Sequence, residues 1–280
     1  MKELLCCALL IGALSSAIVI AESPAPAADP STLYHGGPIL TMTGDEPTFA
    51  EALLEQNGNI VFVGPLAEAK KRVSKETTEF DLAGGTLMPG LIEPHLHPSL
   101  AAMMLQNEII APYDWKLPSG VKKGVSGETN YRARVGESVK ANARPGELYL
   151  IWGYHQLWHG SLSRSVLNAI AGDQPVGIIH RSFHEIFLND AAIAQLGIKQ
   201  ADFAGNPQVD WANGHFFEGG WLALVPRMAP DIMQPEKYLR GLANMSAILQ
   251  QNGITTIAEP GFPSASFDAE LALLMKEMER

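Results

Sequence analysis

From Thr86 onward, short apolar runs alternate with segments of helical period, and this restricts the chain to α/β architectures. Residues 128–143 carry Tyr131, Val135 and Val139 at helical spacing and stop at Arg144-Pro145-Gly146. Residues 148–153 form a continuous apolar run, the pattern of a strand covered on both faces. Ser163 is placed to cap a helix over 164–171 with Gly172 just past its end. Residues 176–180 read as the next buried strand, and Asn189 as the cap of a helix over 190–196 closed by Gly197. Pro235 opens a helix to residue 252, with Leu239, Leu242, Met245 and Leu249 on one stripe and Gly253 as its stop. A strand over 254–258 and an amphipathic helix over 267–280 follow. The expectation is a parallel sheet, open or closed into a barrel.

Before Thr86 the pattern is β-rich. Residues 33–42 read as a strand interrupted by Gly36-Gly37-Pro38. Strands over 49–55 and 59–63 flank Asn57-Gly58, a hairpin signal because both residues tolerate positive φ. A short helix over 65–73 and a strand over 77–82 complete a small unit that ends at Gly84-Gly85. Residues 1–21 read as a secretory signal: Lys2 precedes an apolar run, and Val19 and Ala21 are the small residues before a cut at Glu22. A retained membrane anchor is the alternative, but Ser15 and Ser16 dilute the run. Both cysteines, Cys6 and Cys7, lie in this segment, so a cleaved chain has no thiol chemistry and is exported to the periplasm or medium without a stable membrane span. The domain expectation is therefore a signal over 1–21, a Pro/Ala linker over 22–32, a small β domain over 33–88 and an α/β domain over 89–280. A formal charge of −10 argues against nucleic acid or an anionic membrane as partner.

The chemistry-bearing stretch joins the two regions. After Gly84-Gly85 comes a short apolar run and then Glu93-Pro94-His95-Leu96-His97-Pro98. On a strand, residues i and i+2 share a face, so His95 and His97 are placed to offer two imidazoles to one metal ion. Pro94 and Pro98 cannot donate to a ladder, so the strand is expected to fray here. His155 follows the strand over 148–153, and His184 follows the strand over 176–180. Loops after parallel strands are where barrel enzymes build their sites. Ser161 and Ser163 near His159 have no spacing specific to a serine hydrolase.

The run Pro89-Gly90-Leu91-Ile92-Glu93-Pro94-His95-Leu96-His97-Pro98 resembles the amidohydrolase superfamily, in particular the amidohydrolase family 3 group that includes the N-substituted formamide deformylases. That group shows Pro-Gly, two hydrophobic residues, Asp-x-His-x-His and Pro after a small β domain. Here Glu93-Pro94 replaces the Asp and a small residue. Residues 181–192 resemble the family's Arg-x-x-Gly-His-x-x-x-x-Asn-x-x-Ala segment, with Phe183 where a small residue is usual, which implies a reshaped pocket. Gly214 to Glu218 resembles its Gly-x-x-x-Glu element, and Glu259 stands where the family often has Asp.

The resemblance implies a (β/α)8 metal-dependent hydrolase barrel, incomplete in this chain, preceded by a small β-sandwich-like domain. It implies a divalent metal, zinc by expectation, held by His95 and His97, with His184, Glu218 and His155 as substrate-binding candidates. The implied reaction is hydrolysis of a non-peptide carbon–nitrogen bond, of an amide or formamide type, by metal-activated water. In the family the remaining ligands lie on later strands, and an aspartate on the last strand shuttles the proton. That aspartate is expected beyond Arg280, so no catalytic residue is assigned. The partner is then a small-molecule amide. The alternative is a non-catalytic exported half-barrel that needs a partner chain and forms an oligomer through an exposed apolar sheet edge.

Overall fold

The computed structural model describes residues 30–279, so the expected signal segment lies outside the described residues. The chain divides into two compact units, one ending at Pro89 and the other starting at Gly90.

In the first unit, β1 (Ser31–His35) is followed by the short pair β2 (Ile39–Leu40) and β3 (Phe49–Ala50), then β4 (Ala52–Gln56) and β5 (Asn59–Gly64). A single-turn helix, α1 (Leu66–Ala69), precedes β6 (Thr78–Asp81). The main sheet runs in the order β5-β4-β1-β6, with β1 antiparallel to β4 and parallel to β6. Asn57 and Gly58 take φ of +52° and +76°, the tight turn expected between β4 and β5. Leu33, Ala52, Leu54 and Ala69 form its core.

The second unit opens with β7 (Leu91–Glu93) and α2 (Pro98–Leu105). Next come β8 (Glu108–Ile109), the hairpin β9 (Trp115–Leu117) and β10 (Gly120–Lys122), and α3 (Glu128–Asn142). β11 (Tyr149–Tyr154), α4 (Gln156–His159), α5 (Arg164–Ala171), β12 (Val176–His180), β13 (Glu185–Leu188) and α6 (Asp190–Gln195) follow. The chain continues through β14 (Val209–Asp210), β15 (His215–Phe217), α7 (Gly219–Leu222), α8 (Val225–Ile232), α9 (Pro235–Gln251), β16 (Ile254–Ile257) and α10 (Phe267–Met278).

The capping chemistry explains the helix starts. Ser163 Oγ accepts the Val166 N–H at 3.3 Å at the head of α5. Buried Asn189 does more: its Oδ1 accepts the N–H groups of Ala192 and Val176, both at 3.0 Å, and its amide donates to Gln174 O at 2.8 Å. One side chain thus ties the start of α6 to the start of β12.

The expectation of a single parallel sheet does not hold. Six strands form one sheet in the order β14-β15-β13-β12-β11-β8, in which only the pairings of β11 with β8 and with β12 are parallel. The segment between β12 and β13 is too short for a crossover, so β13 returns antiparallel, and β15 and β14 follow it antiparallel. β7 lies outside this sheet and pairs parallel with β16. Leu91 and Ile92 on β7 are 49% and 70% exposed.

Two buried histidines sit on the α3-α5 side of the six-stranded sheet. His159 stacks on Tyr131 at 4.0 Å, its Nδ1 accepts the His155 N–H, and its Nε2 donates to Val125 O at 3.0 Å. That tautomer is neutral, and burial lowers its pKa. Burial also lowers the pKa of His180, whose Nδ1 accepts the Ser182 N–H. A folded-state pKa below the unfolded value means the unfolded chain takes up protons first as pH falls. Stability is therefore expected to be full above the ordinary histidine pKa, about 6.5, and to decline below it. Urea unfolding across that range checks this, and His159→Gln is expected to flatten the decline. Unfolding midpoints that rise on acidification would contradict it.

Candidate active site

β7 ends at Glu93, and Pro94 begins a bend. His95 and His97 thus lie just beyond the strand. Backbone pairing nevertheless continues: Ala258 N–H donates to Glu93 O and Leu96 N–H to Ala258 O, both at 3.0 Å. Leu96 is held by the chain leaving β16, with a histidine on either side of it. The two imidazoles meet edge to face, centroids 5.1 Å apart. Pro98 then fills the first turn of α2, where its missing N–H costs nothing, and His97 stands at the N-cap position without a capping hydrogen bond from its side chain.

Glu259 supports His97. Its Oε1 lies 2.7 Å from His97 Nδ1 and accepts the Gly261 N–H at 2.8 Å. A carboxylate there holds the proton on Nδ1 and leaves the Nε2 lone pair available, the usual outer-shell arrangement of a metal-ligating histidine. Gly261 is required by close approach: a Cβ on it would fall 2.8 Å from His97 Cε1. Glu259 Oε2 is buried and has no hydrogen-bond partner among the described residues.

The two histidines open into a cavity of about 720 Å³. Its polar lining is confined to His95, His97, Ser182, His184 and Ser264, and the rest is mainly aliphatic and aromatic side chains from α2, α7 and α8. His184 reaches it from the hairpin between β12 and β13, an antiparallel turn and not the strand-to-helix loop anticipated. Its Nδ1 pairs with Glu218 Oε2 at 3.0 Å, and the Glu218 N–H donates to His184 O at 2.8 Å. Both side chains are more than half exposed. Phe183 and Glu218 carry φ of +64° and +47°, left-handed values that cost a non-glycine residue roughly 1–3 kcal/mol and cluster at functional sites.

His155 is placed elsewhere. Its Nδ1 accepts the Leu157 N–H at 3.2 Å as the cap of α4, and its ring lies against Trp158 and His180. Ser163 is engaged as the cap of α5. Of the tryptophans, Trp221 lines the cavity, while Trp152 is buried beneath Phe183, with rings 5.6 Å apart.

Two imidazoles, one backed by a carboxylate, fit the donor set a divalent metal takes. They are two of the three protein ligands a catalytic zinc usually needs. Among the described residues, no group of three His, Cys, Asp or Glu is arranged to hold a metal ion.

A sequence profile described as Amidohydrolase family matches residues 78–279. Among curated proteins, the chain is 28% identical over 168 residues to Protein LONG AFTER FAR-RED 3 of Arabidopsis thaliana, covering 59% of this chain and 26% of that protein. It is 37% identical over 79 residues to the Exoenzymes regulatory protein AepA of Pectobacterium carotovorum subsp. carotovorum, covering 28% and 17% respectively. The fold is similar to that of an uncharacterized metal-dependent hydrolase from Pyrococcus horikoshii OT3, with a TM-score of 0.65 and 20% identity over 88% of this chain and 46% of the other. A second one, from Pyrococcus furiosus, gives a TM-score of 0.64 and 18% identity over 88% and 47%. The chain thus spans less than half the length of these proteins.

Proposed function

The chain belongs to the Amidohydrolase family, and on that premise we propose that it carries the opening metal ligands of a zinc-dependent hydrolase of non-peptide carbon–nitrogen bonds. The observation that carries this reading is His95 and His97 side by side on one cavity, with His97 turned by Glu259 so that Nε2 faces away from the carboxylate. Bound zinc would polarise the scissile carbonyl and lower the pKa of a water molecule to about 7. His95 and His97 would hold the metal, and Glu259 would keep His97 in the required tautomer. His184 and Ser182, which line the cavity, would touch the substrate, and the apolar walls would exclude bulk water from it. In this reading β7 and β16, parallel neighbours joined through α9, are adjacent strands of a barrel, and the six-stranded sheet is inserted between them. A complete barrel of this kind would supply the remaining ligands, including the group that shuttles the proton.

The exposed apolar side chains Leu91 and Ile92 favour a second reading, a non-catalytic chain that covers β7 with a partner. Activity separates the two. The whole protein is expected to hydrolyse amides, to lose turnover in a chelator and regain it with Zn²⁺. His95→Ala combined with His97→Ala should lower kcat/KM by at least about a thousandfold, the size of a lost electrostatic stabiliser. Turnover that survives both the chelator and the double substitution would sink the proposal.

A further inference from the structure

We propose that Glu270 is a positioning residue for the histidine pair: it pins the far end of the loop whose near end, Glu259, supports His97. The proposal rests on reading His95 and His97 as metal ligands and adds the residue that keeps their support in place. Glu270 lies on α10 and is fully buried. Burying a carboxylate is costly unless its oxygens are hydrogen-bonded. Its Oε2 accepts the Ser264 N–H at 3.0 Å, and its Oε1 accepts the Ala265 and Ser266 N–H groups at 2.5 and 2.7 Å. Such bonds are charge-assisted and stronger than neutral ones.

Helix capping does not account for this arrangement. Ser266 stands at the N-cap of α10, and its side chain makes no capping bond. Ser264 and Ala265 precede that position, so their N–H groups are not among those a helix leaves unpaired. Two of the three bonds therefore order the incoming loop, which a cap alone does not require.

The loop is held at both ends. Ala258 O accepts the Leu96 N–H at 3.0 Å, and Glu259 follows with Oε1 2.7 Å from His97 Nδ1. Gly261, which has no room for a Cβ beside His97, lines the cavity together with Pro263 and Ser264. Residues 259–266 thus have His97 at one end and Glu270 at the other. Without the second anchor the chain after Gly261 is free to leave the cavity, and Glu259 is no longer held against His97. α10 keeps its own anchor: Leu273 is buried in the core shared with α2 and α9, and Leu274 packs against it. A change at Glu270 therefore loosens the loop before it frees the helix.

The test uses the whole protein. Zinc affinity is measured by competition titration, and the metal-free protein is unfolded in urea. The variants are Glu270→Ala and Glu270→Gln, each alone and combined with Glu259→Ala. Glu270→Ala is expected to weaken zinc binding about tenfold, the low end of the loss when a ligating histidine is deprived of its carboxylate. Glutamine keeps one side-chain oxygen, enough for two of the three bonds, so Glu270→Gln should bind only about threefold weaker than the parent. With alanine at position 259, changing Glu270 should weaken binding no further, because the loop then has nothing to hold against His97. A brace that only stabilises would lower the unfolding midpoint and leave zinc affinity unchanged, and that result overturns the proposal. So does a loss at Glu270 that persists on the Glu259→Ala background. Should Glu270→Ala not fold, Glu270→Gln decides on the same terms: a loss that vanishes without Glu259 upholds the proposal, and parent affinity overturns it. A parent that binds no zinc overturns the metal reading and this proposal together, whereas a zinc-binding parent indifferent to Glu270 overturns this proposal alone.

Discussion

Gly241→Ala is expected to destabilise the second unit by about 2 kcal/mol. Gly241 is buried on α9 where that helix crosses α2. A Cβ there would lie 2.0 Å from Ala102 O and 2.7 Å from Ala102 C, both backbone atoms of α2. No rotamer change relieves a clash with backbone, so the two helices must separate. Overpacking of this kind costs about 3 kcal/mol, against about 1 kcal/mol gained in helix propensity. Gly136 on α3 is the internal control. A Cβ there meets only Ile170 Cγ2 at 3.5 Å, an ordinary contact, so Gly136→Ala should stabilise by roughly 0.5–1 kcal/mol. The two alanines should move the urea midpoint in opposite directions. Shifts in the same direction would show that the α2-α9 approach is not as close as described. Because α2 begins at the residue after His97, its displacement should also spoil the histidine pair.

Glu259→Ala should separate stability from function in the opposite manner. The Glu259 side chain is 14% exposed, and Oε2 has no partner among the described residues, so its burial opposes folding. Removing it is expected to leave the unfolding midpoint of the metal-free chain unchanged or slightly raised. Zinc affinity should nevertheless fall by about 10- to 100-fold, the usual loss when a ligating histidine is deprived of its carboxylate. Glu259→Gln keeps an acceptor for His97 but not the charge, and should fall between parent and alanine. Zinc affinity indifferent to all three side chains would mean that Glu259 does not act through His97.

How much of this was legible in the sequence depends on the range of the interaction. Starts and stops set by local chemistry were readable: Ser163 before α5, Asn189 before α6, and Pro235 and Gly253 around α9. The bonds by which Ser163 and Asn189 cap their helices span only three residues. β13 was not read, because Glu185-Ile186-Phe187-Leu188 is a short apolar run that the neighbouring histidines drew into a loop. With β13 missed, the sheet's change of direction was missed too, and β11 and β12 were taken as continuations of β7. α2 was overlooked because Pro98 reads as a strand breaker when it is equally a first-turn helix residue. At the site, the histidine pair could be seen because its members are two residues apart. Glu259 stands 162 residues from His97, and its contact exists only because β7 pairs with β16. The glutamate after the strand over 254–258 marked it as a candidate, but its partner was not readable. His155 looked like a site residue by its position after β11. The structure gives its ring nitrogen to the backbone of α4, a short-range use that any N-cap side chain serves.

The central claim, that His95 and His97 hold a metal, is tested most directly by the metal content of the whole protein isolated from its source cells. Elemental analysis should find at least one zinc per chain, retained through dialysis, and none when His95 and His97 are both alanine. A native protein that turns over substrate without metal, or a double variant that keeps its zinc, would contradict the account.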